Sequence, residues 1–326
     1  MGRAEVPMHA ITLTDGQPAW SELPTPIPGP GQVRIRVEAA GVNRADLVQR
    51  AGRYPPPPGA SPILGLEVAG VVDRAAEGGR FAVGDRVCAL LTGGGYATHV
   101  VVEEELCLPI PEGLDAVHAA AVVEVWATAW RNLVELGRMV AGDRVLVHAG
   151  ASGVGTASVQ LCRLLRARAF VTVGSVEKLE RCLALGAEAG ANRHEGPWVQ
   201  AVKAWAGGVD VVLDPVGAGY LEQAQQVLEV DGRWVLIGLM GGRVAKVDLG
   251  RLLMKRQQLL GSTLRALPVA RKATTLRALE ATVWPALADG RVKPVVHAVV
   301  PMPEADRAHQ LVASNETVGK VVLTVR

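Results

Sequence analysis

A glycine-rich run, Gly150-Ala151-Ser152-Gly153-Val154-Gly155, follows the apolar segment DRVLVHA (143–149) and precedes the helical stretch TASVQLCRLLRA. Glycines at such a point let the chain turn tightly and let backbone N–H groups approach a pyrophosphate. The helix that follows presents unpaired donors and the positive end of its dipole to an anion. The chemistry this suits is dinucleotide binding. The spacing departs from a clean G-x-G-x-x-G, because Ser152 stands in the second glycine's slot. A plain βα turn, with glycines for packing, is the competing explanation.

The choice between NAD and NADP is made at the end of the next strand, where an acid would bind ribose hydroxyls and repel a 2′-phosphate. That strand ends AFVTVGS, placing Gly174 or Ser175 at the deciding position. Lys178 follows three residues after Ser175, and Arg193 ends the next strand candidate. A hydroxyl and two cations suit a phosphate, so NADP(H) is the expected cofactor. Glu177 is the opposing residue, expected to point away from the first turn of its helix.

These residues need a particular scaffold. VDVVLDPV (209–216) and RWVLIGL (233–239) are further buried strands, and helical stretches separate them from the earlier ones. Strand and helix in alternation predict a parallel sheet with crossover helices. Residues 8–125 read differently. QVRIRVEAAGV (32–42) alternates like a half-buried strand, and Pro/Gly clusters at 24–31 and 54–62 punctuate a series of short strands. The tail is expected to carry a helix (about 268–289), the strand VKPVVHAVV, a helix (303–314) and the strand GKVVLTV. The first seven residues read as an extension without a signal-peptide core.

The 326 residues carry 34 Lys+Arg against 32 Asp+Glu. That balance and the lack of like-charge runs argue against a nucleic-acid partner. No uninterrupted apolar stretch is long enough for a membrane span. Four scattered cysteines make no disulfide scaffold, and the expected location is the cytoplasm.

Five segments together carry a family likeness: NRADLVQRAGRYPPPPGASPILGLE (43–67), GGGYATHV (93–100), HAGASGVGTASVQL (148–161), GRWVLIGLMGG (232–242) and GKVVL (319–323). The chain resembles the medium-chain dehydrogenase/reductase superfamily, in its zinc-independent quinone oxidoreductase branch, and most nearly the p53-inducible quinone oxidoreductase subgroup. The resemblance implies an α/β protein with a GroES-like β-barrel catalytic domain (1–125 and 267–326) and a Rossmann, doubly wound parallel-sheet NADP-binding domain (126–266). It also implies a homodimer formed through the cofactor domains.

Zinc members of the superfamily carry a Cys after the early strand and a Gly-His-Glu further on. Here those places read Gly41-Val42-Asn43 and Gly65-Leu66-Glu67. Two of the usual three ligands are lost, and catalytic zinc needs about three, so no metal is expected. Without a Lewis acid the favoured substrates accept hydride readily, as quinones do. The protein then supplies positioning and hydrogen bonds to a developing oxyanion.

The resemblance places nicotinamide and acceptor between the domains, near Asn43, Tyr54, Trp126 and Thr128. Asn43 offers an amide, Tyr54 a phenol to the acceptor oxygen, and Thr128, opening a helix, a contact to the carboxamide. Trp126 is grouped with the cofactor-binding residues, as are Gly238, Met240 and Gly241, which follow the fifth Rossmann strand at the carboxyl edge where open α/β sheets bind ligands. Ser262–Arg265 and Asn315, Gly319 and Lys320 also resemble positions near the cofactor. Asp46 and Glu67 read as structural, His148 as a bonded core histidine.

The expected function is NADPH-dependent quinone reduction. One alternative is reduction of enones or enoyl thioesters, and another, of a different class, is a cofactor-dependent nucleic-acid-binding or structural protein.

Overall fold

The computed structural model describes residues 6–325, so most of the expected N-terminal extension (residues 1–5) lies outside them. The chain divides into two compact units, Met1–Glu124 with Leu264–Arg326, and Val125–Thr263. Among the described residues no helix is long and apolar enough to cross a membrane.

The first unit holds strands β1 (Met8–Thr14), β2 (Gln17–Leu23), β3 (Gln32–Val42), β4 (Glu67–Arg74), β5 (Arg86–Leu90), β6 (His99–Glu103) and β7 (Cys107–Pro109). The second holds β8 (Arg144–Val147), β9 (Arg168–Val173), β10 (Ala189–Asn192), β11 (Val209–Asp214), β12 (Leu228–Leu236) and β13 (Gln258–Gly261). The chain then returns to the first unit with β14 (Val296–Pro301) and β15 (Lys320–Thr324).

In the first unit β1 and β2 form an antiparallel hairpin. Asp15 and Gly16 both take positive φ at its tip, the backbone a two-residue turn needs to match strand twist. The larger sheet runs β14-β15-β3-β4-β5-β7, with β6 also paired to β3. β3 therefore has neighbours along its whole length. Its expected half-buried alternation gives way to burial on both faces from Ala39 to Val42. The helix expected over 268–289 is two, Val269–Thr282 and Trp284–Ala288. Pro285, which has no N–H to donate, sits in the first turn of the second.

The second unit is a six-stranded sheet in the order β10-β9-β8-β11-β12-β13, and every neighbouring pair is parallel. The order reverses between β8 and β11, the switch point where such sheets open a crevice. Leu146, Phe170, Trp198, Val212, Leu228 and Trp234 fill a core against one face. Such burial, at about 25 cal/mol per Å² of apolar surface, is the main force holding the helices to the sheet. The four cysteines are free and buried. Burial pushes the Cys162 and Cys182 thiols up to about 12 and those of Cys88 and Cys107 well above their ordinary value.

Candidate functional site

The carboxyl edge of the parallel sheet gathers most of the residues singled out for cofactor binding. β8 ends at Val147, and His148 continues it by donating its backbone N–H to Leu213 (3.1 Å). The His148 ring bonds Thr172 Oγ1 through Nδ1 at 2.9 Å and packs on Trp198 and Tyr220. Burial holds its imidazole down to about 3. It is a neutral core residue.

The turn that follows needs glycine at two places for packing. A Cβ on Gly150 would lie 2.6 Å from Val171 Cβ, and one on Gly155 2.5 Å from the Gly150 carbonyl oxygen. Ser152 in the second glycine's slot has its own purpose. It is the N-cap of the helix Gly153–Leu164, and its Oγ accepts the Gly155 N–H at 3.0 Å. Gly153 and Val154 head the first turn, where N–H groups have no partner within the helix. Cap, free donors and the dipole of a 12-residue helix make an anion cradle.

β9 ends at Val173, and Gly174 and Ser175 lead into the helix Val176–Leu185. Ser175 caps it, accepting the Lys178 N–H at 3.3 Å. Arg193 is exposed, and its guanidinium faces Gly174: a Cβ there would lie 3.5 Å from Nη2. Arg193 Nε donates to His194 Nε2 at 3.2 Å. The Glu177 carboxylate is held low by its own backbone N–H and by the Ser175 hydroxyl.

A residue missed in the sequence organises the next two loops. Asp214, at the end of β11, is fully buried and accepts from Val216 N (2.6 Å), Gly217 N (3.1 Å) and Trp234 Nε1 (3.0 Å). Burial raises its carboxyl to about 6 against those bonds. The loop after β12 zips onto the one it holds: Met240 N donates to Pro215 O at 3.2 Å and Gly241 N to Val216 O at 2.7 Å. A Cβ on Gly238 would meet Pro215 O at 2.7 Å, so the two loops close on each other only with glycine there. The signal was an acid ending the apolar run VDVVLD.

Two residues of this unit lie deeper than a sequence reading shows. Trp126 is 1% exposed, so its ring is part of the packing. Thr128 does not open a helix: the helix runs Val123–Trp130 and continues as a π-turn, Arg131–Leu136. Thr128 is its sixth residue and is buried, its carbonyl accepting Asn132 Nδ2 at 2.7 Å.

The remaining candidates lie in the first unit. Asn43 is the N-cap of the helix Arg44–Arg50 in a capping box with Asp46. Its amide is spent internally: Nδ2 donates to Glu67 Oε1 at 3.1 Å, and Oδ1 accepts from Lys320 Nζ. Lys320, expected near the cofactor, is a buried cation, 2.7 Å from Glu67 Oε1 and bonded also to Val42 O. Asn315 accepts from Arg44. Asp46 accepts from Asn43 N, Gly65 N and Tyr96 Oη, and burial raises its carboxyl to about 6. Both carboxylates are structural, as the sequence suggested. Tyr54 is half-buried on its proline loop, and its hydroxyl bonds none of the described residues. Among the described residues no group of three or more His, Cys, Asp or Glu is arranged to hold a metal ion.

Comparison with known proteins places this geometry. Residues 29–112 match the alcohol dehydrogenase GroES-like domain, and residues 153–281 match the zinc-binding dehydrogenase family. A quinone oxidoreductase from Thermus thermophilus, solved also with NADPH, is 34% identical, covers 98% of this chain and 100% of its own, and superposes with a TM-score of 0.84. A mycobacterial protein solved with NADPH is 31% identical over 97% of this chain and 99% of its own, TM-score 0.87. A phthioceranic/hydroxyphthioceranic acid synthase of Mycobacterium tuberculosis is 33% identical over 301 residues, 91% of this chain. The chain spans only 14% of that relative's length.

Proposed function

The chain belongs to the medium-chain dehydrogenase/reductase superfamily of oxidoreductases, and from that premise we propose that it is an NADPH-dependent quinone oxidoreductase working without metal. The observation that carries the proposal is the corner where the superfamily's zinc ligands would stand. Asn43 and Leu66 occupy two ligand positions, and the Lys320 ammonium bonds both Asn43 and Glu67 there. A fixed cation already neutralises the buried carboxylate, which leaves that corner unsuited to a second one. Likeness to a quinone oxidoreductase over the whole chain supports the same reading.

The second unit's residues fit the cofactor. The Ser152-capped helix and the N–H groups of Gly153 and Val154 would hold the pyrophosphate, while Ser175, Lys178 and Arg193 would hold the 2′-phosphate. Gly238, Met240 and Gly241, on the loop fixed through Asp214, would border the nicotinamide, with Thr128 near it. When bound, the nicotinamide supplies the hydride. Tyr54 would donate a hydrogen bond to the acceptor oxygen as negative charge develops, worth roughly 100-fold or more in rate. A quinone asks little else, since its reduced form is aromatic.

We further propose a cytoplasmic homodimer. β13 is an edge strand, and Val244, Leu249, Leu253 and Met254 near it are each more than two-thirds exposed, an apolar surface that favours a partner. Likeness to a segment of polyketide synthases favours a second reading, reduction of an enoyl thioester. Rates with NADPH on ortho- and para-quinones, enones and crotonyl thioesters, measured side by side, separate the two. Preference for the thioester by orders of magnitude would overturn the quinone reading.

A further inference from the structure

Tyr54 precedes a run of four prolines, and its ring is covered by a residue far off in sequence. Arg265 is 5% exposed and donates from Nε to Thr92 O at 2.7 Å and from Nη1 to Tyr54 O at 3.3 Å. Its Cζ lies 5.2 Å from the centre of the Tyr54 ring. One side chain thus fixes the loop's backbone and covers its aromatic ring. The third nitrogen, Nη2, is buried with no hydrogen-bond partner among the described residues. Burying a guanidinium with a donor unmet is costly, and burial lowers the Arg265 pKa. A residue kept under those terms serves its neighbour more than its own stability.

We infer that Arg265 is a positioning residue for Tyr54, fixing the phenol's direction and strengthening it as a hydrogen-bond donor through its adjacent positive charge. The donor's use by an acceptor rests on the quinone reductase reading above; the coupling of the two side chains does not. A cation on a phenol's ring face favours loss of the phenolic proton and strengthens its donation to an oxyanion. Burial, the largest influence, raises the Tyr54 phenol; Arg265 pulls it down and Glu124 pushes it up. The other charged groups acting on this corner do so through Arg265: Asp46 stabilises its charge, and Lys272 lies close enough to feel it. Lysine would keep the charge but not the fork that bonds two carbonyls.

The test titrates the tyrosines of the whole protein by NMR of the labelled phenol carbon. The component missing in Tyr54→Phe is assigned to Tyr54. In Arg265→Gln we expect it to rise by about one pH unit, the effect of one charge at this range in a half-solvated setting. In Arg265→Lys we expect a smaller rise. Quinone kcat should fall about tenfold in Arg265→Gln with the KM for NADPH unchanged. An unmoved Tyr54 titration in folded Arg265→Gln overturns the inference, and Arg265→Lys gives the same reading if the glutamine variant does not fold. Full quinone turnover by Tyr54→Phe would overturn the acceptor role instead, leaving the coupling to be judged by the titration.

Discussion

Replacing Gly174 with aspartate should reverse the cofactor preference. The substitution is sterically mild, because its Cβ would lie 3.5 Å from Arg193 Nη2 and 3.6 Å from Cζ, ordinary contact distances. Gly174 is not among the glycines with positive φ, so no backbone strain follows. The new carboxylate would fall on the Arg193 guanidinium and take the donors offered to a 2′-phosphate. A charge-assisted hydrogen bond lost there is worth about 1.5 kcal/mol, the low end, because Arg193 is exposed and screened. Repulsion between carboxylate and phosphate at about 4 Å in a water-like medium adds about 1 kcal/mol. The combined loss of about 2.5 kcal/mol corresponds to roughly 60-fold weaker NADPH binding. NADH has no phosphate to lose and gains a carboxylate for its ribose hydroxyl. Steady-state KM values for both cofactors at a fixed quinone, with direct titration by nicotinamide fluorescence, measure the ratio. A selectivity change below about threefold would refute the assignment of Arg193 to the phosphate.

Three further outcomes are expected. Lys320→Met leaves the buried Glu67 carboxylate unpaired and should cost about 3–5 kcal/mol in denaturant melts, with Glu67→Gln/Lys320→Met milder. Stability should respond to pH in two opposed ways. The raised Asp46 and Asp214 carboxyls keep protons that the unfolded chain has released, a stability that is lost as pH rises from about 4 to about 6. His148 and His309, held down to about 3 and 4, refuse protons that the unfolded chain takes, so their contribution is lost as pH falls below about 6.5. Relative to wild type, His309→Asn should therefore gain towards acid and Asp214→Asn towards neutrality, each by up to about 1.4 kcal/mol per pH unit in urea melts. Chelation with EDTA should leave quinone turnover unchanged; zinc at one atom per chain, with activity lost on its removal, would contradict the metal-free reading.

The parallel sheet was legible because continuous apolar runs alternate with amphipathic ones, and the period alone separates strand from helix. The glycine turn was legible in kind, while the reason for Ser152 came only with the cap it forms. Asp214 and Lys320 were harder. Each works through partners fixed by tertiary packing: Trp234 lies 20 residues from Asp214, and Asn43 277 residues from Lys320. No local pattern encodes such pairs. The burial of Trp126 and Thr128 was hidden for a related reason. A family likeness assigns a side chain to a neighbourhood, but its burial depends on what packs around it, and here the helix Val123–Trp130 turns both inward. The hairpin of β1 and β2 went unread, although Asp15-Gly16 is a turn signal.

The buried thiols have a bearing on chemistry that involves none of them. Quinones are electrophiles as well as oxidants, and a thiolate adds to their ring carbons. Only the deprotonated sulfur attacks, so the hazard scales with thiolate fraction and access. All four cysteines are out of water, with their protons held far more tightly than usual. On the proposed function, a catalyst that concentrates such compounds at its surface offers them no nucleophilic sulfur. Durability under its own substrate would then come from where the fold puts its least protected atoms.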